Sequence, residues 1–331
     1  YASFSFQVQD DGGNANGGVN LDATARTMTL NVTAVNDAPV NTVPGAQNTA
    51  KNTAVTFSSG NGNLISVSDV DAGGSSIEVV LTAANGTLTL NGTTGLSFLT
   101  GTGAGDATMT FQGSIADINT ALNGLRYDPT LNYAGSDSLS VVTNDLGNTG
   151  SGGAQSTSDT VIINVAFVNS APTLSGANNL SAINEDAASN SGISVSALIA
   201  GQVTDPDPGA VSGIAVIAVD NTDGTWEYST NGGTSWSAFG SPSASSARLL
   251  SDGVNDYVRL VPNVNWHGSV TNGLTFRAWD QTSGANGGTA DTTTNGGTTA
   301  FSVASASASI VVNPVNDAPI GTNNTVATLE D

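Results

Sequence analysis

Val35-Asn-Asp-Ala-Pro39 returns as Val168-Asn-Ser-Ala-Pro172 and again, intact, as Val315-Asn-Asp-Ala-Pro319. The intervals are 133 and 147 residues, far longer than a solenoid unit and close to the size of one small domain. A motif recurring at that interval marks a joint. The chain is therefore read as a string of domains, and its residues are best compared repeat against repeat.

Working outward from the joints, further markers recur in the same order. Phe4-Ser-Phe6-Gln-Val8-Gln-Asp10 aligns with Leu139-Ser-Val141-Val-Thr143-Asn-Asp145 and with Leu274-Thr-Phe276-Arg-Ala278-Trp-Asp280. The three closing Asp residues are 135 apart both times. Just upstream, Asn132-Tyr-Ala-Gly135 matches Asn265-Trp-His-Gly268. Asp69-Val-Asp71-Ala-Gly73 matches Asp205-Pro-Asp207-Pro-Gly209, 76 and 75 residues before the strand-end Asp. Asn184-Glu185-Asp186 has its counterpart in Leu329-Glu330-Asp331. These markers place one full repeat at 35–167 and a second at 168–314. Residues 1–34 are then the last strands of a preceding repeat, and 315–331 a linker and the first strand of a following one. On this reading the chain is a piece of a longer polypeptide, and targeting signals are expected outside it.

Period-2 alternation dominates the segments between markers. Met28, Leu30 and Val32, or Val161, Ile163 and Val165, alternate with polar residues, and Gly and Asn clusters interrupt them every ten residues or so. That pattern predicts antiparallel β-sandwiches. The 40 Gly argue against helix. One helix is nonetheless predicted over 114–125, from the Ser114-Ile-Ala-Asp117 cap, the spacing of Ile115, Ile118, Leu122 and Leu125, and Gly124 as its stop.

Six Lys plus Arg stand against 27 Asp plus Glu, a formal charge of −21, and Lys51 is the one lysine. No basic patch exists to attract nucleic acid or anionic lipid, so neither is expected as a partner. Of the acids 23 are Asp and 4 Glu, and most Asp sit in turn contexts beside Gly, Asn or Pro. Short carboxylates on turns suit hard cations with several oxygen ligands; they also suit a solvated acidic surface. With no cysteine, disulfides cannot stiffen the joints. No apolar run approaches the ~18 residues of a membrane span.

The joint motifs, the two Asp-x-Asp runs and the stretch Ile65-Ser-Val-Ser-Asp-Val-Asp-Ala-Gly-Gly74 resemble the cadherin-like tandem repeats of large bacterial surface adhesins and secreted matrix proteins. The resemblance covers nearly the whole chain. It implies tandem, Ig-like β-sandwiches in an extended string, an extracellular location, and calcium at the joints. The ligands it implies before the first full repeat are Asn36, Asp37, Asp69, Asp71 and Asp145. Before the second they are Asn169, Asp205, Asp207 and Asp280. There Ser170 stands in for the linker Asp, and Lys51-Asn52 for the early Glu-Asp, so weaker binding is expected. After the second repeat the implied ligands are Glu185, Asp186, Asn316 and Asp317. Partners are expected to be neighbouring repeats or copies of the chain itself, and a cell-surface or matrix polysaccharide is a further candidate. A bare turn, with Pro fixing the linker, explains Asn-Asp-x-Pro without any ion.

Signals for catalysis are sparse. There is no Cys nucleophile, no Gly-x-Ser-x-Gly elbow and no phosphate-cradling Gly loop, and the sole histidine is His267, in a turn. The chain is read as non-enzymatic. The alternative function is carbohydrate binding, because Trp226, Trp236, Trp266 and Trp279 all fall in the second repeat and Ser229-Thr-Asn-Gly-Gly-Thr-Ser-Trp236 resembles the Asp-box of sialidase-type propellers, with Asn231 in the Asp position. A second alternative is head-to-tail polymerisation, in which the tail of one copy completes the head of the next by strand addition.

Overall fold

A computed structural model describes residues 2–187 and 189–328. The Leu329-Glu330-Asp331 marker lies outside the described residues. The chain divides into two units, Tyr1–Phe167 and Val168–Asp331.

From residue 35 the first unit is a β-sandwich. One sheet has six strands, ordered Gln47–Ala50, Ser156–Ala166, Gly135–Asn144, Ser76–Ala83, Thr108–Ser114 and Ser97–Thr100; the other has four, ordered Ala104–Asp106, Gly86–Thr89, Leu125–Pro129 and Val55–Phe57. Within these two sheets the strand pairings are antiparallel except one, Gln47–Ala50 running parallel to the last strand, Ser156–Ala166. The alternation sets which faces meet. Ile77, Val79, Leu81 and Ala83 of one strand and Leu139 and Val141 of its neighbour turn to the same side, and Phe57, Leu88, Leu125 and Tyr127 oppose them from the second sheet. A one-residue slip in either strand would turn that strand's own core side chains to the outer face, so burial fixes the register. At Gly86 the neighbouring strand of the same sheet leaves no room for a side chain: a Cβ there would lie 2.3 Å from the Tyr127 ring.

The second unit repeats the plan. Its six-stranded sheet runs Ile183–Asn184, Phe301–Asn313, Gly268–Trp279, Gly213–Val219, Ala247–Ser251, Thr289–Ala290, and its four-stranded sheet Ile193–Ser194, Tyr257–Pro262, Gly224–Ser229, Ser237–Ala238. Here too the first strand is parallel to the last. The two units differ at the outer edge of the larger sheet. In the first unit that edge is Ser97–Thr100, from the middle of the repeat; in the second it is Thr289–Ala290, from the long connection between the last two strands.

The predicted helix is present over Ile115–Leu122, with the Ser114 hydroxyl accepting the Asp117 N–H. Leu125 departs from the expectation. Gly124 takes φ +119°, which ends the helix, and Leu125 opens the next strand. A one-turn helix at Val195–Leu198, capped by Ser194, follows Ile193–Ser194 in the second unit. The Asn-aromatic-x-Gly turns also coincide. Asn132 and Asn265 sit at φ 62° and 57°, and Gly135 and Gly268 at 145° and 152°, so the aligned residues adopt one backbone conformation.

Ahead of residue 35 lies a two-stranded hairpin, Ala2–Phe6 with Arg26–Leu30, in which Phe4 faces Met28. Its apolar residues are exposed, unlike their aligned counterparts in either sandwich. None of the helices among the described residues is long and apolar enough to cross a membrane.

Candidate metal centre

In the first unit the joint motif, the Asp-x-Asp run and the strand-end Asp come together. Asn36 is 3% exposed and donates through Nδ2 to Asp145 Oδ2 at 2.6 Å and to the Gly153 carbonyl at 2.9 Å. The Asp37 N–H donates to Asp71 Oδ2 at 2.9 Å. Asp69 Oδ1 accepts from the N–H groups of Asp71 and Ala72, both at 3.1 Å. Asp145 Oδ1 accepts from the N–H groups of Gly147 and Gln155, both at 2.8 Å. Asp145 accepts through both oxygens, whereas the donors to Asp69 and Asp71 meet one oxygen of each and Asn36 engages through its amide nitrogen. The other oxygens, Asn36 Oδ1, Asp69 Oδ2 and Asp71 Oδ1, are buried and accept nothing. Buried oxygens without a donor are costly unless a cation or ordered water meets them.

The electrostatics follow this division. Burial, joined by repulsion from Asp71, pushes the Asp69 carboxyl above its ordinary range. The Asp37 N–H holds Asp71 below that range, although Asp145 repels it. Burial pushes Asp145 up, but the N–H groups of Gln155 and Gly147 and the Asn36 amide outweigh it and leave that carboxyl low. An open concavity of about 450 Å³, lined by Asp37, Ala38, Val40, Ser68, Asp69 and Val70, adjoins the cluster.

The second unit repeats most of this network, although Pro208, standing where Ala72 does, has no N–H to give to Asp205. Asn169 Nδ2 donates to Asp280 Oδ2 at 2.8 Å and to the Thr299 carbonyl at 3.1 Å. The Ser170 N–H donates to Asp207 Oδ2 at 2.7 Å, and the Asp207 N–H to Asp205 Oδ1 at 2.9 Å. Asp280 Oδ1 accepts from the Thr282 N–H at 2.8 Å. Ser170 thus keeps the backbone role of Asp37 and drops only the carboxylate. The hairpin's Asp10 closes the same i to i+2 turn, accepting from the Gly12 N–H at 3.1 Å.

The far end of each unit shows the counterpart position. The Glu185 N–H donates to the Asn313 carbonyl at 3.0 Å, and the Lys51 N–H to Ala166 at 2.9 Å; each residue directly follows the first strand of its sheet. Lys51 therefore occupies the Glu185 position, with its ammonium 5.2 Å from the centre of the Phe167 ring. Glu185 is 5% exposed; it accepts the Val315 N–H at 2.6 Å through Oε1 and meets His267 Nδ1 at 3.1 Å through Oε2. The Val315 N–H, with His267 in support, holds this carboxyl below its ordinary range.

Not every implied ligand joins a cluster. Asp37 takes part through its backbone, and its residue is exposed. Asp186, Asn316 and Asp317 are exposed, and Asn316 Nδ2 reaches only the Asp317 carbonyl, at 3.4 Å. Among the described residues no three His, Cys, Asp or Glu side chains are gathered closely enough to close a metal site unaided. Each cluster is instead a partial shell of carboxylates and one amide. Two participants have no sequence signal. Thr149 Oγ1 donates to the Asp71 carbonyl at 2.6 Å, and Gln155 Nε2 to the Asn36 carbonyl. Both lie in a Gly-rich connection whose length and residues are not repeated in the second unit.

The tryptophans are dispersed. Trp226 and Trp279 are buried, Trp266 packs against the core, and Trp236 carries the Arg259 guanidinium 4.1 Å above its ring. Asn231 pins its own turn: its Oδ1 accepts from the Ser229 hydroxyl at 2.8 Å and the Ser235 N–H at 2.9 Å.

No protein-family profile matches the chain, and no curated protein does. Solved structures do. EC1-2 of human mucin-like protocadherin aligns at 14% identity over 83% of this chain and 99% of that one, with a TM-score of 0.35. Drosophila N-cadherin EC1-4 aligns at 15% identity over 84% and 50%, TM-score 0.33. Mouse protocadherin-24 EC1-3 aligns at 12% identity over 94% and 80%, TM-score 0.33.

Proposed function

We propose that this chain is a calcium-rigidified structural segment of an extracellular bacterial adhesin, surface filament or matrix fibre, built from cadherin-like repeats at 35–167 and 168–314. Its work is mechanical and non-enzymatic. The sandwiches supply length and the joints supply stiffness. The observation that carries this reading is the set of three buried, donorless oxygens on Asn36, Asp69 and Asp71, held in place by hydrogen bonds that use their other atoms. Oxygen-only donors with carboxylate charge fit a hard divalent cation. Asn36, Asp69, Asp71 and Asp145 would hold calcium at the leading end of the first repeat, and Asn169, Asp205, Asp207 and Asp280 at that of the second. Glu185 and Asp186, with the linker residues Asn316 and Asp317, would contribute to the joint that follows. When bound, calcium neutralises clustered carboxylates and stabilises the state that gathers them by mass action.

The test is thermal melting and small-angle scattering of the unmodified chain with millimolar calcium and with chelator. Calcium is expected to raise the melting temperature and narrow the spread of dimensions. Identical curves would leave the joints as Pro-fixed turns and remove every metal assignment. The carbohydrate-binding alternative has less support, since the four tryptophans form no shared surface.

A further inference from the structure

Among the described residues, seven that are not Gly take a left-handed backbone, with φ between 56° and 63°. Five of them are Asn, which tolerates that conformation. The other two are Leu146 and Gln281. They stand 135 residues apart and directly follow the strand-end residues Asp145 and Asp280. The same disfavoured conformation therefore recurs at aligned positions with unrelated side chains. Packing does not account for it at Leu146, which is 38% exposed. Strain that persists in both units points to a constraint on the backbone itself.

The turn bond alone does not impose that constraint. Asp220 and Asp291 each accept the N–H two residues on, from Thr222 at 3.0 Å and from Thr293 at 2.8 Å. The residues between, Asn221 and Thr292, do not have positive φ. Both of these carboxylates are exposed and, among the described residues, bond only their own turn. Asp145 and Asp280 do more, and they are 2% and 3% exposed. In each, Oδ1 accepts the N–H two residues on, from Gly147 or Thr282, at 2.8 Å. In each, Oδ2 accepts the amide of the linker, Asn36 at 2.6 Å or Asn169 at 2.8 Å. The first unit adds the Gln155 N–H on Oδ1 at 2.8 Å. A left-handed middle residue turns the chain the opposite way from a right-handed one, and it occurs where the carboxylate must serve both the turn and the linker.

We propose that Leu146 and Gln281 are positioning residues, whose left-handed backbone holds the strand-end Asp so that its two oxygens bridge the turn and the linker Asn. At position 146 the backbone angle does this and the side chain is dispensable. The role bears on the calcium reading, on which Asp145 and Asp280 are ligands, but it needs only the hydrogen bonds and is measured in chelator. A chain that binds no calcium would remove the metal assignments and leave this role standing.

Hydrogen exchange at the Gly147 and Gln155 amides, with the NMR signals of the Asn36 side-chain amide, reads both sides of the bridge in the full chain. Leu146→Ala removes the side chain and keeps the backbone constraint, so all three signals should stay as they are. Leu146→Asn suits the left-handed region better; it should keep the signals and raise the melting temperature of the first unit by about 4 °C. Leu146→Val is branched at Cβ and disfavours that region strongly. Exchange at Gly147 and Gln155 should then quicken by ~100-fold and the Asn36 amide should lose its bonded shift, while amides of 76–83 keep their protection. Gln281→Val should do the same at the Thr282 amide. Unchanged exchange in Leu146→Val would overturn the proposal. So would lost protection in Leu146→Ala, which would assign the effect to the side chain, or a lower melting temperature in Leu146→Asn. The Ala and Asn variants decide by themselves if the Val chain does not fold.

Discussion

Asp69→Asn separates the charge of the leading cluster from its hydrogen bonding. The amide oxygen can still accept from the Asp71 and Ala72 N–H groups, which now bond Oδ1 at 3.1 Å. What disappears is a negative charge that burial and Asp71 already disfavour. Without calcium the variant should therefore melt at the same temperature as the unmodified chain or slightly above it. With calcium the order should reverse. At a concentration 100 times Kd the unmodified repeat gains about 2.7 kcal/mol. If losing one carboxylate weakens binding by about 100-fold, the same calcium sits at the variant's Kd and supplies only about 0.4 kcal/mol. The deficit of about 2.3 kcal/mol corresponds to roughly 10 °C for a repeat of this size. Paired calorimetric melts in calcium and in chelator would show the crossing. A variant that melts lower by the same margin in both conditions would mean that Asp69 is a turn residue and nothing more.

Three further outcomes follow from the geometry. Ser170→Asp restores a carboxylate at a linker position whose N–H already bonds Asp207, so titration calorimetry should show tighter calcium binding to the second unit; unchanged affinity would contradict the ligand assignment there. Asn36→Ala removes the buried amide on Asp145 Oδ2 and should cost about 2 kcal/mol in chelator by urea unfolding; a loss confined to calcium would make Asn36 a ligand without a structural role. Asp252 has its carboxyl raised by burial, with repulsion from Asp256. Its contribution is therefore present below the ordinary carboxylate pKa and lost as pH rises through the raised one. Asp252→Asn should accordingly raise the melting temperature at pH 7, and that advantage should vanish near pH 3.

Both sandwiches are legible in the chain because alternation reports which face of a strand is buried, and the repeated markers report which strands are equivalent. Ile77-x-Val79-x-Leu81 and Val161-x-Ile163-x-Val165 each line the core as their spacing requires. The helix was legible from its Ser114 cap, but Leu125 continued the apolar spacing by coincidence and belongs to a strand. At the site, Asn36 with Asp145, and Asp69 with Asp71, could be paired because each recurs at a fixed interval in the second unit. At Asp37 the feature held in common with Ser170 is the backbone N–H, a role that residue identity does not encode. Thr149 and Gln155 were invisible because they contact the cluster from a connection whose length changes between units. The tryptophans were less legible for a different reason. Composition counted four in one repeat, whereas Trp226 and Trp279 face inward.

Asn36, Asp69, Asp71 and Asp145 are proposed to form part of a calcium shell. Calorimetric titration of calcium into the chelator-treated chain tests it most directly, with Asp69→Asn/Asp71→Asn as the comparison. Saturable binding is expected in the unmodified chain, with the loss of at least one site in the double variant. Absence of binding up to about 10 mM calcium, far above the weakest extracellular calcium modules, or identical isotherms for the two proteins, would contradict it.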